Sequence, residues 1–178
     1  MRLVSSLPAV ASLLLLAACG SPSFTTEVRG EAVVPGDPAP QSVVLNSLPA
    51  IGSFTSIDFN QNQEFQNQGV TKDEVSSVRV SQLRLSIVSP DGQDLGFLDE
   101  VRFYAKAGNQ EVLIAEAIGV AERGVGKREL ELGVRDAELQ PYVTAPSMSI
   151  LVRGRGRVPS QDVRLQAVVT LDVKVNVL

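Results

Sequence analysis

The chain of 178 residues has no histidine, no tryptophan and a single cysteine. Without histidine, the Ser-His-Asp and Cys-His arrangements, the HExxH zinc site and imidazole acid–base catalysis are all excluded. One cysteine cannot form an intramolecular disulfide, so the fold has to depend on buried aliphatic side chains and on sheet hydrogen bonds. The formal net charge of −4 argues against nucleic acid as a partner, because binding phosphates needs clustered lysine and arginine.

Other catalytic signatures are also missing. The sequence holds no G-x-S-x-G and no lysine with a serine three residues before it, so the common serine-nucleophile motifs are absent. A pair of carboxylates can hydrolyse glycosides, yet no pair stands out, and aromatic residues, on which sugars stack, are only 4% of the chain. We therefore predict that the protein is not an enzyme and uses no cofactor, and we keep a carboxylate-dependent hydrolase as a less favoured alternative.

What the sequence does contain begins with a short apolar segment at the N-terminus. Arg2 supplies positive charge, and residues 7–18 form an apolar stretch that ends in small residues. This layout is typical of a secretory signal peptide. The stretch is shorter than the ~20 apolar residues that a membrane-spanning helix needs. We therefore predict that residues 1–18 are a signal peptide that is removed from the mature protein.

The end of that segment resembles the lipobox of bacterial lipoproteins. Residues 16–19 read LAAC, an aliphatic residue and two small ones before the cysteine. The resemblance covers residues 1–19 only. It implies that a diacylglyceryl group is attached to the sulfur of Cys19, that cleavage occurs before this residue, and that residues 19–23 are a lipidated tether. The alternative is an ordinary signal peptide with a cysteine close to its cleavage site.

The resemblance also implies a location. Two or three acyl chains hold a protein stably at a bilayer that it does not span. In enterobacterial lipoproteins an aspartate after the cysteine favours the inner membrane, whereas this chain has Gly20 there. We therefore expect the protein in the cell envelope, at the outer membrane, on its periplasmic face or on the cell surface. The expected partners are the membrane, through Cys19, and an envelope protein.

Residues 24–178 are dominated by side chains that alternate between apolar and polar, the pattern of half-buried strands. About seven to nine such runs with regular turn signals predict an all-β domain, an antiparallel β-sandwich with the immunoglobulin-like arrangement as a candidate strand order. Near Ser81 and Gln82 the apolar phase shifts by one residue, which predicts a β-bulge. The last run, from Val163 onward, exceeds ordinary strand length, so we expect it to bend near Val168 and to serve two parts of the sheet.

Three shorter segments carry local predictions. The stretch AGNQ is expected to be a hairpin turn. The stretch DAELQPYV is expected to hold one helical turn that is capped by Asp136 and ended by Pro141. The amide-rich residues 60–74 predict a solvated loop with Phe65 turned inward. A recognition loop is the alternative for this segment, because side-chain amides both donate and accept hydrogen bonds.

One cluster of charge is a candidate binding site. In RGRGR, Arg153, Arg155 and Arg157 alternate with glycines, so on a strand their side chains share one face. Such a row can bind phosphates or carboxylates, which predicts an anion-binding site for a lipid headgroup or an acidic partner. The alternative is an exposed strand face whose charge discourages edge pairing. Asp91 and Asp94, with carboxylates a few residues on, could hold calcium, but a turn explains them better, and we predict no metal site.

These observations favour a lipid-anchored β-sandwich of the cell envelope with a non-catalytic interaction or structural role. A second function stays open, an envelope lipoprotein that binds an apolar ligand between its sheets or an anionic ligand at its surface. The apolar version requires a cavity lined by valine and leucine with few polar groups at its mouth. The sequence gives no indication of which partner or ligand is bound.

Overall fold

The computed structural model describes residues 22–39, 44–45, 48–49 and 54–176. Within these residues the chain forms nine strands, and every pair of neighbouring strands is antiparallel. The strands are β1 (Ser23–Val34), β2 (Val44–Leu45), β3 (Val75–Ser89), β4 (Leu98–Ala107), β5 (Gln110–Ile118), β6 (Glu129–Glu131), β7 (Gly133–Val134), β8 (Ser149–Arg157) and β9 (Val163–Val175).

The helices in the described residues are short. They are α1 (Gln63–Asn67), α2 (Val120–Arg123) and α3 (Gln140–Val143), with 3-10 turns at Phe59–Gln61, Lys72–Glu74 and Leu95–Phe97. None of the helices in this part of the chain is long and apolar enough to cross a membrane.

Two sheets pack face to face around one apolar core. The four-stranded sheet has the order β1-β9-β3-β6, and the five-stranded sheet has the order β2-β8-β4-β5-β7. An immunoglobulin sandwich places its first two strands side by side in one sheet, whereas here β1 and β2 lie in different sheets. The orders β1-β9-β3-β6 and β2-β8-β4-β5 are those of a double Greek key, the jelly roll, with β7 added at one edge. The predicted all-β sandwich is therefore confirmed, and its immunoglobulin-like variant is wrong.

Two predictions about the long strands have different outcomes. The bulge is confirmed, because β3 shifts register against β9 between Val80 and Gln82, and the buried positions of β3 change phase across it. The prediction that β9 divides near Val168 to serve two parts of the sheet is wrong, because β1 pairs with it on one side and β3 on the other along its length.

The two ends of the sandwich are distinguished by the direction of β1. The proximal end holds the start of β1 and the end of β9, and the distal end holds the end of β1 and the start of β9. At the proximal end the carbonyl oxygen of Pro22 accepts a hydrogen bond from Val175 N at 3.1 Å. The sandwich therefore begins before residue 24, the start that the sequence predicted.

The amide-rich residues 60–74 are partly helical and cover the proximal end of the core. The side-chain oxygen of Asn62 caps α1 by accepting hydrogen bonds from two backbone N–H groups of the helix. Phe65 is fully buried and packs edge-on against Phe24, with the ring centroids 5.2 Å apart. The predicted inward position of Phe65 is confirmed, although the segment that carries it is a helix and not only a loop.

The predicted hairpin turn is confirmed, whereas the predicted helical turn starts where it was expected to end. Two residues separate β4 from β5, and the first, Gly108, has a φ of 55°, which glycine adopts at low cost. The helical turn is α3, which has Pro141 in its first turn, because the fixed φ of proline suits a helix start. Asp136 lies upstream of the helix and forms an ion pair with Arg79 instead of a cap.

Candidate anion-binding surface

The arginine row, Arg153, Arg155 and Arg157, lies on β8 and is exposed on the outer face of the five-stranded sheet. The glycines between these residues are buried on the inner face. A Cβ atom on Gly156 would lie 2.2 Å from the carbonyl oxygen of Phe97, so the neighbouring backbone leaves no room for a side chain. The alternation in the sequence therefore reflects a strand that packs closely on one face and presents cations on the other.

Arg153 has the most extensive contacts of the row within the protein. Its guanidinium donates two hydrogen bonds to the carboxylate of Glu111, at 2.7 and 2.9 Å. The same group lies over the ring of Tyr104, 4.4 Å from the ring centroid. The hydrogen bonds with Glu111 and Tyr104 raise the pKa of Arg153. Because a bidentate carboxylate and a stacked ring fix the planar group in place, Arg153 offers little to an external anion.

Arg155 and Arg157 are less engaged. Arg155 Nη2 lies 3.6 Å from Glu100 Oε2, and the same glutamate also pairs with Arg102, at 3.0 Å. Arg157 donates one hydrogen bond to the carbonyl oxygen of Gly96, at 3.1 Å. A guanidinium group carries five N–H donors, so these contacts use only part of the capacity of each side chain. Within the arginine row, these two residues are the ones able to donate hydrogen bonds to an external carboxylate or phosphate.

An ion-pair network lies beside the row on the same sheet. Arg102 lies 3.0 Å from both Glu100 and Glu116, and Glu116 also pairs with Arg135. Hydrogen bonds from Arg135 and Arg102 lower the pKa of Glu116, and the hydrogen bond with Glu116 and the charge of Glu100 raise the pKa of Arg102. Arg102 and Arg153 are directly opposite in the strand register, a like-charge pair that the glutamates compensate. Arginines outnumber glutamates in the row and network, so this face carries local positive charge on a chain of net charge −4.

The sequence predicted the shared direction of the arginine row but not the residues that pair with it. The alternation in β4 placed Arg102 and Tyr104 on the same side of that strand. Nothing in the alternation indicated that β4 would lie beside β8, or which of its residues would face Arg153. Neighbouring strands and their register depend on the whole topology, so Glu111 and Tyr104 were missed as partners.

The carboxylates considered for calcium do not converge. Asp94 accepts hydrogen bonds from the N–H groups of Gly96, at 2.9 Å, and Gly126, at 2.7 Å. Asp91 lies 3.6 Å from the guanidinium of Arg128. Among the residues that the structure describes, no group of three or more His, Cys, Asp or Glu side chains could hold a metal ion. The Asp94 side chain therefore stabilises two turns of the backbone.

Two of the cavities formed by the described residues bear on the ligand-binding alternatives. An apolar void of about 10 Å³ lies between the sheets, next to Val34 and Leu85. Ligand pockets occupy ~300–1,000 Å³, so this void is too small for an apolar ligand. A polar cleft of about 390 Å³ lies between β1 and α1, with Thr25 and Asn62 in its lining. Thr26, also in the lining, is buried and donates a hydrogen bond to Asn62 Oδ1 at 3.0 Å, so these two side chains serve the helix cap.

Cys19, the predicted lipidation site, lies outside the described residues. Comparisons with family models and with curated proteins found no match to the chain. The function of the outer face of the five-stranded sheet is therefore inferred from the geometry of its residues.

Proposed function

We propose that the protein is a lipid-anchored, non-catalytic interaction module of the cell envelope, held at the outer membrane through Cys19. The arginine row binds a carboxylate or phosphate group of an envelope partner. The observation that supports this role best is the state of Arg155 and Arg157, which are exposed and only partly engaged on a positive sheet face.

The start of the sandwich is compatible with a short tether. Residue 22 is already hydrogen-bonded to the sheet, so only residues 20 and 21 separate it from Cys19. At ~3.6 Å per residue, a fully extended tether would place the Cα atom of Pro22 about 11 Å from the Cα atom of Cys19. A module held this close to the bilayer meets envelope partners at one fixed distance from the membrane.

The alternative functions receive less support. The void next to Val34 is too small for an apolar ligand. A glycosidase needs a carboxylic acid whose pKa is raised, but the glutamates with shifted pKa in the described residues are shifted downward. Hydrogen bonds from Thr71 lower the pKa of Glu74, those from arginines lower the pKa of Glu116, and backbone and serine donors outweigh burial in lowering the pKa of Glu138.

The anchor is tested by Cys19→Ser, with Ser21→Ala as the matched control. We expect the control to pellet with membranes and to show a diacylglyceryl group on Cys19 by mass spectrometry, because its lipobox is intact. The Cys19→Ser variant should lose the modification and leave the membrane fraction. If Cys19→Ser matures and pellets as before, the anchor is wrong.

The anion-binding role is tested with polyglutamate as the probe and the lipidated protein in detergent micelles. Replacing both Arg155 and Arg157 by Gln should weaken binding roughly tenfold, because two charge-assisted contacts are lost. Arg153→Gln is the control, and we expect a smaller loss because Arg153 is already held by Glu111. Equal losses in the two variants would contradict the assignment.

A further inference from the structure

We infer that Ile118, Val125, Arg155 and Arg157 form one docking surface, the distal corner, for a segment of an envelope protein that carries apolar side chains beside carboxylates. The inference depends on the proposed function, because it assigns the place and the partner chemistry of that interaction role. It goes beyond the arginine row by adding two apolar residues from other parts of the fold.

The apolar component is unusually exposed. Val125 is 66% exposed and Ile118 is 56% exposed, the highest values for large apolar residues in the described part of the chain. Single exposed apolar residues are common and need no explanation. The position of these two residues does need an explanation, because both lie beside Arg155 and Arg157, the arginines of the row with the fewest contacts within the protein.

Ile118 lies on the same sheet face as Arg155. Ile118 pairs with Glu100 across β5 and β4, and Glu100 pairs with Arg155 across β4 and β8. The neighbours Ala117 and Val101 are buried, so Ile118 and Glu100 point outward together with Arg155. With strands ~4.8 Å apart, the Cα atoms of Ile118 and Arg155 are about 10 Å from each other. One extended segment can contact both side chains at that separation.

Val125 and Arg157 meet at Gly96. A Cβ atom placed on Gly96 would lie 3.2 Å from Val125 Cγ2, and the carbonyl oxygen of Gly96 accepts the hydrogen bond from Arg157. The loop that carries Val125 is held in place, because Asp94 accepts hydrogen bonds from the N–H groups of Gly96 and Gly126. The distal corner therefore presents its apolar and cationic groups from a fixed backbone.

The position of the distal corner favours a protein segment over a lipid headgroup. The strand β8 runs from Ser149, whose neighbour Met148 pairs with Ile57 near the proximal end, to Arg157 at the distal end. The proposed tether leaves the sheet at the other end of β1, a strand of 12 residues that spans ~40 Å at ~3.3 Å per residue. Headgroups of the anchoring membrane lie at the proximal end, so a carboxylate-bearing protein segment is the occupant that fits.

The inference is tested by site-specific photo-cross-linking in cells that produce the full-length chain. A photoreactive amino acid replaces Val125 or Ile118 at the distal corner, or Gln66 at the proximal end as a positional control. We expect protein adducts from positions 118 and 125 but not from position 66. Mass spectrometry should find Asp or Glu next to apolar residues at the cross-linked segment of the partner.

A charge reversal then tests the role of the arginines. The double variant Arg155→Glu and Arg157→Glu should lower the adduct yield at position 125 roughly tenfold, because opposite charges across an interface are replaced by like ones. Lys174→Glu, on the other sheet, is the matched control and should leave the yield unchanged. If the reversal lowers the melting temperature, the double Gln variant replaces it, and its yield should also fall.

Each contrary outcome overturns the inference. These outcomes are no adduct at either distal position, adducts only with lipid or with a second copy of this chain, and a yield that the charge reversal does not change. Adducts from position 66 alone would reject the distal corner while leaving an interaction role in place. The fractionation of the Cys19→Ser variant shows separately whether the proposed anchor is wrong.

Discussion

At the proximal end of the sandwich the large apolar side chains are buried, whereas at the distal end several are exposed to water. Phe59, just before the amide-rich residues 60–74, and Phe65, within them, are both fully buried. The exposed large apolar residues of the described chain, which are Val33, Val88, Ile118 and Val125, all lie towards the distal end. The two ends of one core are therefore covered to different extents.

The difference follows from the length of chain available at each end. The proximal end is crossed by α1, two 3-10 turns and α3, which together supply capping groups and cover the aromatic side chains. The distal connections, residues 90–97, 119–128 and 158–162, are shorter than the proximal segments that carry these elements, although they too include a 3-10 turn, Leu95–Phe97, and α2. These connections leave Val88, Ile118 and Val125 exposed, so these apolar groups remain available for contact. The predictions that follow use this contrast, in order of decreasing effect.

The largest effect is expected for Phe65→Ala at the proximal end. The ring of Phe65 is buried and lies 5.2 Å from Phe24 and 5.4 Å from Phe59, centroid to centroid. Removing it should lower the free energy of unfolding by about 3–5 kcal/mol, because a cavity is left in the core. Ile118→Ala at the distal end should change it by less than about 0.5 kcal/mol. Urea denaturation measures both values, and similar losses would remove the contrast between the ends.

A smaller loss is expected for Gly156→Ala beside the distal corner. The new methyl group would lie 2.2 Å from Phe97 O, so β8 has to move away from the backbone that precedes β4. The free energy of unfolding should fall by roughly 1–3 kcal/mol. Gly133→Ala is the matched control, because its nearest contact would be 3.4 Å away. Equal melting temperatures for the two variants would show that β8 is not closely packed there.

Acid should act at the proximal end through Glu138. Burial opposes its ionisation, but hydrogen bonds from Val78 N, Ser77 Oγ and Gln140 N outweigh burial and lower its pKa. The folded pKa is then below the unfolded one, so the stabilisation is complete above the unfolded value of ~4.3 and is lost as the pH falls through the folded pKa. Urea denaturation from neutral to acid pH should show this loss, and Glu138→Gln should reduce the pH dependence. Asp91→Asn at the distal end is the control, and an equal change in both variants would contradict the assignment.

The smallest effects are expected within the arginine row. Arg153→Ala removes a bidentate pair with Glu111 and a stacked contact with Tyr104, and should lower the melting temperature more than Arg157→Ala does. Arg157→Ala removes one hydrogen bond to a carbonyl and should cost less than about 0.5 kcal/mol. Thermal unfolding at low salt measures the difference. A larger cost for Arg157→Ala would show that this residue is structural and not available for binding.

The alternation of side chains was enough to predict the sandwich, the bulge and the hairpin turn, because each depends on the order of residues within one strand or turn. It could not predict the jelly-roll order, since alternation shows which face of a strand is buried and not which strand lies beside it. The expected division of β9 near Val168 was wrong for the same reason. The length of β9 is explained by β1 and β3, which flank it along its length.

The candidate site was predictable only in part. The shared direction of Arg153, Arg155 and Arg157 followed from their spacing, and β8 has that geometry. The spacing did not show that the three arginines differ in their contacts within the protein, because Glu111 and Gly96 reach the row from separate segments of the chain. The exposure of Val125 could not be predicted either, because no pattern in a glycine-rich stretch distinguishes a buried valine side chain from an exposed one.

The orientation of the sandwich on the membrane is tested most directly by fluorescence quenching of single labelled cysteines. Cys19 is the only cysteine of the chain and would be blocked by lipidation, so Gln66→Cys and Ser160→Cys each carry one label, at the proximal and distal ends. In vesicles that contain a headgroup-linked quencher lipid, the label at position 66 should be quenched and the label at position 160 should not. Equal quenching at both positions, or stronger quenching at position 160, would contradict a sandwich that stands on its proximal end.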